Sequence, residues 1–156
     1  MEVIRRLTAD DLPRLRQFWV ERWSGEEIIA HGQVIRPEQV EGFVYGDWSG
    51  LVTFYLRGSE CEITSLDSLC EGQGIGSALI ETVIKEAKAR QCHRMFLITT
   101  NDNLHALGFY QKRGFSLVAI YRHAIDETRK IKPTISWIGE NGIPLRDEIE
   151  FELLLE

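Results

Sequence analysis

A glycine-rich segment in the middle of the chain restricts the fold more than any other feature. Residues 69–77 read Leu-Cys-Glu-Gly-Gln-Gly-Ile-Gly-Ser, with glycines at positions 72, 74 and 76. An extended pattern precedes this loop and a helical pattern follows it. Glycine adopts backbone conformations that other residues avoid, and the N–H groups at a helix N-terminus attract anions. The segment therefore predicts a strand, a tight turn and a helix that together bind a phosphate group.

Composition limits the class of protein. With 156 residues, 44% apolar and 27% charged, the chain predicts one soluble domain over residues 1–156. We expect a cytoplasmic protein with no membrane partner, because no apolar run is long enough to span a bilayer and the first residues lack a signal-peptide core. The net charge of −6 argues against a nucleic-acid partner and is compatible with a cationic substrate. The cysteines lack metal-site spacing, so we expect reduced thiols and no metal.

Periodicity places several elements around the loop. A helix begins near Thr8, and its tryptophans, Trp19 and Trp23, are expected in the core. The segment 24–40 predicts a short helix or an irregular loop. Strands are expected at 1–7, 41–47, 50–56 and 61–69 before the loop, and at 95–100, 115–121 and the C-terminus after it.

The segments after the glycine loop contain one parallel connection. Ile75, Leu79, Val83 and Ala87 share one helical face, and the run 95–100 predicts a strand buried on both faces. A strand, a helix and a buried strand in this order make one right-handed crossover, so strands 61–69 and 95–100 should be parallel neighbours.

Three weaker patterns complete the chain. Asn103 is expected to cap a helix that ends before Gly114, and residues 124–131 predict a short helix. The segment 132–144 predicts a long loop. In the last strand, apolar residues alternate with Glu148, Glu150 and Glu152, which predicts one buried face and one solvent face.

Two familiar phosphate motifs do not fit the loop. A Walker loop requires Gly-Lys followed by Ser or Thr, and this chain has Gly76-Ser77 without the lysine. A dinucleotide fingerprint fails as well, because its third glycine falls on Ser77 or Leu79. The loop is therefore either a tight turn or a phosphate cradle of another class.

A second motif downstream indicates that class. Residues 103–110 read Asn-Leu-His-Ala-Leu-Gly-Phe-Tyr, and Gly114-Phe115 closes the helix. Together with the loop frame Glu71 to Gly76, this order resembles the GNAT N-acetyltransferase superfamily. The resemblance covers residues 1–121 and the last strand. It implies an α+β fold, with a mixed and mostly antiparallel central sheet, helices on both faces and one parallel β-α-β unit at the cofactor cleft.

The resemblance also implies a reaction and its residues. It implies transfer of an acetyl group from acetyl-coenzyme A to a primary amine, on a small molecule or a peptide, by direct attack in a ternary complex. Tyr110 is implied as the general acid that protonates the departing thiolate. The residues implied in coenzyme A binding are Leu66, Asp67, Ser68, Gly72, Gln73, Gly74, Ile75, Gly76, Ser77, Asn103 and Tyr110. Glu71 stands where the family has Arg or Gln, and Gln73 is expected to supply a polar donor instead.

The sequence leaves several points open. Asp67, Glu62, Glu27 and His31 are all candidates for the general base. A coenzyme A-binding regulatory module without turnover, and transfer of a larger acyl group, are the alternative functions. The segments 24–40 and 132–144 are expected to shape the acceptor pocket, with Trp137 either lining it or packing. A homodimer is left open.

Overall fold

The computed structural model describes residues 3–70 and 72–156, so the expectation about Glu71 lies outside the described residues. The chain forms two compact units. The first unit contains Met1–Ile28, Ile35–Met95 and Leu154–Glu156, and the second contains Ile29–Val34 and Phe96–Leu153. Among the described helices, none combines the length and the apolar character needed to cross a membrane.

The helices and strands follow the predicted order closely. The helices are α1 (Leu12–Trp23), α2 (Ile75–Ala89), α3 (Leu104–Lys112) and α4 (Ala124–Ile131). The strands are β1 (Ile4–Arg6), β2 (Ile28–Ala30), β3 (Gln33–Ile35), β4 (Glu41–Tyr45), β5 (Gly50–Arg57), β6 (Glu60–Ser68), β7 (Arg94–Thr100), β8 (Ser116–Tyr121) and β9 (Glu148–Leu154). The protein is therefore of the mixed α+β class that the sequence predicts.

The first unit is built on an antiparallel meander. Strands β1, β4, β5 and β6 are hydrogen-bonded neighbours in that order. Its core includes Leu15, Phe18, Trp19, Ile28, Ile35, Val44, Trp48 and Leu51. Trp19 is fully buried as expected, but the prediction for Trp23 is wrong. Trp23 is 41% exposed, because it stands in the last turn of α1 and its indole N–H bonds to a carboxylate.

Helix α2 buries the face that the sequence predicts. Ile75, Leu79, Val83 and Ala87 are all buried. The backbone N–H of His93, just before β7, donates to the carbonyl of Ser59, just before β6, at 2.9 Å. The two strands thus start at the same end, which confirms the expected parallel crossover. The expectation that β7 is buried on both faces is wrong, because only alternate residues are fully buried.

The second unit contains the antiparallel pair β8 and β9 and the helices α3 and α4. Two side chains at the end of β7 hold its long loop. The Asn101 amide bonds to the carbonyl of Pro144 at 2.9 Å, and Asp102 accepts from the N–H of Glu140 at 2.7 Å. The loop at 132–144 is irregular as predicted, except for one 3-10 turn at Glu140–Gly142.

Two expectations about polar segments are wrong. The segment 24–40 contains a β-hairpin, β2 and β3, that was not predicted, and a 3-10 turn at Pro37–Gln39 is its one helical part. His31 and Gly32 close it with φ angles of 53° and 73°, which suits the two-residue turn that joins tightly paired strands. The second error concerns Glu148, which lies on the predicted solvent face of β9 but is buried.

The start of α1 gives a testable pH dependence. Asp11 accepts from both terminal nitrogens of Arg5 at 2.9 Å and from the N–H of Thr8 at 2.8 Å. The hydrogen bonds from Arg5, chiefly, lower the pKa of Asp11 to about 2. Because the folded-state pKa lies below the unfolded one, this carboxylate stabilises the fold above about pH 4 and loses that effect as the pH falls toward its folded pKa.

We therefore expect Asp11→Asn to lower stability at neutral pH and to flatten the loss of stability below about pH 5. Urea unfolding at several pH values measures both effects. Asp10→Asn, at an exposed neighbouring position, is the control and should keep the wild-type slope. Equal slopes in the Asp11 variant and the wild type would show that the contact with Arg5 has no energetic weight.

Candidate active site

The end of β6 presents backbone donors on one edge. Asp67 pairs with Leu51 of β5, and the N–H of Leu69 donates to the carbonyl of Ser49 at 2.8 Å. In an antiparallel ladder, successive N–H groups point to alternate sides. The N–H of Asp67 is therefore directed into the ladder with β5, whereas those of Leu66 and Ser68 are directed away from it.

A β-bulge lies just before this strand end. Thr53 of β5 pairs with Ser65, but the next residue of β5 pairs with Ile63, so Thr64 is an extra residue in β6. The hydroxyl of Thr53 hydrogen-bonds to those of Thr64 and Ser65 at 2.7 and 2.6 Å. Bulges increase strand twist and re-aim the residues that follow, and they are common next to active sites. The sequence patterns did not predict this feature.

The carboxylate of Asp67 is buried against α1. It accepts from the indole N–H of Trp23 at 3.0 Å and from Nε of Arg22 at 3.4 Å. Burial raises the pKa of Asp67, while these two donors act in the opposite direction. Asp67 is therefore a buried carboxylate, and each of its two oxygens accepts a hydrogen bond from a side chain of α1.

The glycine loop has the backbone conformation that its sequence predicts. Gly72 and Gly74 have φ angles of 80° and 73°, in the left-handed region that favours glycine. A Cβ placed on either residue would meet no atom within 4 Å, so the loop surface at both positions is open. Glycine is thus required here by conformation and not by close packing.

The first turn of α2 has features that suit an anion. Gly74 is the N-cap residue and provides no side-chain cap, and the first turn has no acidic residue. The first N–H groups of a helix lack acceptors within the helix, and its dipole makes that end positive. Ile75, Gly76 and Ser77 form this first turn. The arrangement suits a phosphate or pyrophosphate group.

A glycine in β5 allows this helix end to approach the sheet. Gly50 is paired with Ser68. A Cβ on Gly50 would stand 2.4 Å from Cγ2 of Ile75, which is closer than real Cβ atoms come. Glycine at this position lets the first turn of α2 pack directly over the end of β6.

In the second unit, Asn103 caps α3 as predicted. Its Oδ1 accepts from the N–H of Ala106 at 3.1 Å, and its Nδ2 donates to the hydroxyl of Thr99 at 3.1 Å. An amide group carries two N–H donors and two acceptor lone pairs. The cap therefore leaves hydrogen-bonding capacity on Asn103 for a ligand.

Tyr110 is buried on the inner face of α3. Its ring makes edge-on contacts with Phe109 and Phe115, at centroid distances of 5.0 and 5.4 Å, and a tilted contact with Phe151 at 5.8 Å. Only 7% of the residue is exposed. This packing fixes the direction of the phenol, as an acid that acts at one defined atom requires.

The candidate bases have different surroundings. Glu27 pairs with Arg36 at 2.9 Å, and the buried Glu62 accepts from Arg57 at 2.7 Å. With Asp67 beside Arg22, each of the three carboxylates has an arginine neighbour. An adjacent positive charge favours the ionised carboxylate, although at Asp67 burial outweighs this effect and raises the pKa. His31 differs, since its neighbour is the carboxylate of Glu148.

The first unit also contains an open cleft of about 440 Å³. It is lined by Arg16, Glu26, Glu27, Arg36, Pro37 and Glu38. Both arginines form ion pairs with glutamates of the cleft, Arg16 with Glu38 at 2.5 Å and Arg36 with Glu27 at 2.9 Å. Glu26 adds a further negative charge to this lining.

Comparison with known proteins decides the family. Residues 4–115 match the acetyltransferase (GNAT) family, a span that includes both the glycine loop and the helix from Asn103 to Tyr110. The chain belongs to the GNAT family of acetyltransferases. The resemblance inferred from the two motifs is therefore confirmed.

Relatives and structural neighbours agree with this family. The uncharacterized protein YdhI of Bacillus subtilis is 40% identical over 146 residues, with 91% of each chain covered. The amino-acid acetyltransferase of Mycobacterium tuberculosis is 25% identical over 124 residues, which cover 73% of this chain and 68% of that one.

Two solved GNAT structures have the same fold. A Bacillus subtilis acetyltransferase in complex with CoA has a TM-score of 0.71 at 24% identity, with 100% of both chains covered. A GNAT family acetyltransferase from Elizabethkingia anophelis with acetyl-CoA bound has a TM-score of 0.71 at 23% identity, covering 99% of this chain and 98% of that one. At these identities the likeness establishes the fold.

Proposed function

We propose that this protein transfers an acetyl group from acetyl-coenzyme A to a primary amine, by direct attack of the amine in a ternary complex. The observation that carries the proposal is the start of α2, where the N-cap residue Gly74 and the preceding Gly72 both have left-handed conformations. Family membership adds the reaction class, and the solved relatives with CoA or acetyl-CoA add the ligand.

The residues of the first unit fit the coenzyme. The pyrophosphate would be held by N–H groups from Gly72 to Ser77, with Gln73 as an additional polar donor. The loop surface is open at Gly72 and Gly74, which gives an anion access to the backbone there. The N–H groups of Leu66 and Ser68 are directed away from β5 and would pair with the pantetheine amides or with the thioester oxygen.

The residues of the second unit are assigned to the thioester end of the coenzyme. Bound acetyl-coenzyme A supplies the activated acetyl group. Asn103 would hydrogen-bond to the pantetheine arm while it caps α3. Tyr110 would give its phenolic proton to the departing sulfur and take a proton from the new amide nitrogen, so that it ends the cycle as a phenol.

The acceptor is proposed to be a cationic amine. The cleft of the first unit carries three glutamates and two arginines, and both arginines are neutralised by glutamates of the same cleft. The remaining charge, from Glu26, favours a positively charged ligand. The chemistry accords with a primary ammonium group as the substrate.

The direct test mixes the protein with acetyl-coenzyme A and a panel of primary amines, and measures free thiol together with the acetylated product. We expect thiol release only when an amine is present, in equal amount to the product. Release of thiol by a larger acyl donor but not by acetyl-coenzyme A would favour transfer of a larger group. Tight coenzyme A binding without turnover on any amine would favour a regulatory module, and absence of binding would contradict both.

A further inference from the structure

We infer that His31 is the general base of the proposed reaction and that Glu148 positions it. This inference rests on the proposed function. His31 lies at the tip of the β2–β3 hairpin and Glu148 at the first position of β9, 117 residues later in the chain. The structure brings them together in the second unit, although nothing in the local sequence of either residue indicates the contact.

The contact with Glu148 fixes both the backbone and the ring of His31. Both carboxylate oxygens of Glu148 accept from the backbone N–H of His31, at 3.1 and 3.0 Å. One of them lies 3.7 Å from Nδ1 of the ring, within ion-pair distance of a protonated imidazole. The ring of Tyr121 meets the His31 ring edge-on at a centroid distance of 4.4 Å, and its hydroxyl donates to Glu150 at 2.6 Å. The ring is therefore held on two sides.

This orientation suits a base. With Nδ1 directed at Glu148, the other nitrogen, Nε2, is the one left to meet a substrate. The His31 side chain is 49% exposed, whereas that of Glu148 is 3% exposed. A buried carboxylate stabilises the imidazolium that forms when Nε2 takes a proton.

The alternative bases are poorer in comparison. Glu27, Glu62 and Asp67 each have an arginine as neighbour, whereas His31 has a carboxylate. Each arginine holds its carboxylate in an ion pair. Burial raises the pKa of Asp67, but its side chain is only 8% exposed and is bonded to Trp23 and Arg22, whereas the His31 side chain is 49% exposed and can meet an amine.

The pair and the proposed acid lie on opposite faces of one strand, β9. Successive residues of a strand point to opposite faces, so Glu148 lies on the face of β9 opposite to Phe151, which contacts Tyr110. The two residues are three positions apart, about 10 Å along the strand. The amine enters and the thiol departs at different positions on the acyl carbon, so the base and the acid act on different atoms.

The proton balance is complete with these groups. Nε2 of His31 takes one proton from the substrate ammonium, which frees the nitrogen lone pair. The C–N bond forms and the C–S bond breaks. The second nitrogen proton reaches the sulfur by exchange through the phenol of Tyr110, and the first leaves His31 to solvent.

The test compares His31→Gly with His123→Gly on an amine that the wild type acetylates. Both histidines have left-handed φ angles, 53° and 61°, and both have a carboxylate within 4 Å of Nδ1, so glycine suits both backbones. We expect His31→Gly to lower kcat/KM by about 10² to 10⁴-fold, to lose the acidic limb of the pH profile, and to regain activity with added imidazole. His123→Gly should behave as the wild type.

Two further variants separate base from positioning residue. Glu148→Gln should lower kcat/KM about tenfold and move the acidic limb to lower pH, because the imidazolium loses its counter-charge. Asp67→Asn should leave the acidic limb of the pH profile at its wild-type position.

The inference is overturned if His31→Gly keeps wild-type kcat/KM, or if it loses activity with an unchanged pH profile and no imidazole rescue. It is also wrong if Asp67→Asn, and not His31→Gly, removes the limb. These outcomes leave the proposed function intact. If the wild-type protein acetylates no amine, both this inference and the proposed function are contradicted.

Discussion

Tyr110→Phe is expected to lower kcat by about 10² to 10³-fold while the protein stays folded. The substitution removes only the phenolic hydroxyl, and the ring keeps its contacts with Phe109, Phe115 and Phe151. Without an acid, the thiolate must leave unprotonated, and the transition state loses that stabilisation. Coenzyme A affinity should change little, because the loss falls on kcat.

Steady-state kinetics and thermal unfolding measure the two parts of this prediction. Tyr45→Phe is the control, since it also removes a single phenolic hydroxyl. Tyr45 is half-buried and lies in β4 of the other unit. We expect the control to keep the wild-type kcat and both variants to keep the wild-type Tm. A Tyr110→Phe protein with full kcat would show that the residue only packs.

The second large effect is expected at the glycine loop. Gly74→Ala should weaken coenzyme A binding by about tenfold or more, equivalent to roughly 1.4 kcal/mol. Gly74 has a φ angle of 73° and is the N-cap of α2, so a methyl group both strains the turn and covers the surface that meets the phosphates.

Gly58→Ala distinguishes the two causes. Gly58, in the turn between β5 and β6, has a φ angle of 62°, and a Cβ there also meets no atom within 4 Å. Both variants should lose about 1 kcal/mol of unfolding free energy through left-handed strain. Only Gly74→Ala should raise the Kd for coenzyme A in calorimetry. Equal affinities in the two variants would remove the loop from the binding site.

The sequence predicts those features whose causes are local. The face of α2 follows from apolar residues at helical spacing, and the Asn103 cap follows from a side chain and an N–H three residues apart. The glycine loop is local in the same sense. The family resemblance rests on these two segments, so the order of residues alone is enough to indicate it.

The features that the sequence did not predict depend on distant partners. Trp23 continues the apolar spacing of α1, but its indole finds Asp67, 44 residues away. Glu148 continues the alternation of β9, but the hairpin carrying His31 covers it. The hairpin itself had a local indication, a His-Gly pair between two isoleucine-containing runs, that suits a two-residue turn.

The same limit applies to the base. The sequence offers Glu27, Glu62, Asp67 and His31 as candidate bases. It does not show which groups surround each of them in the folded chain, and those surroundings distinguish the candidates. An arginine beside a carboxylate and a carboxylate beside an imidazole have opposite effects on proton affinity. Those neighbours are far away in the sequence. Glu148 is 117 positions from His31, and Arg22 is 45 positions from Asp67.

Initial-rate kinetics with both substrates varied test the central proposal most directly. Direct attack in a ternary complex predicts double-reciprocal lines that intersect, with thiol release dependent on the amine. Parallel lines with a burst of thiol in the absence of amine would contradict it, because they indicate a covalent acetyl-enzyme, for which the exposed Cys70 next to the loop would be the first residue to examine.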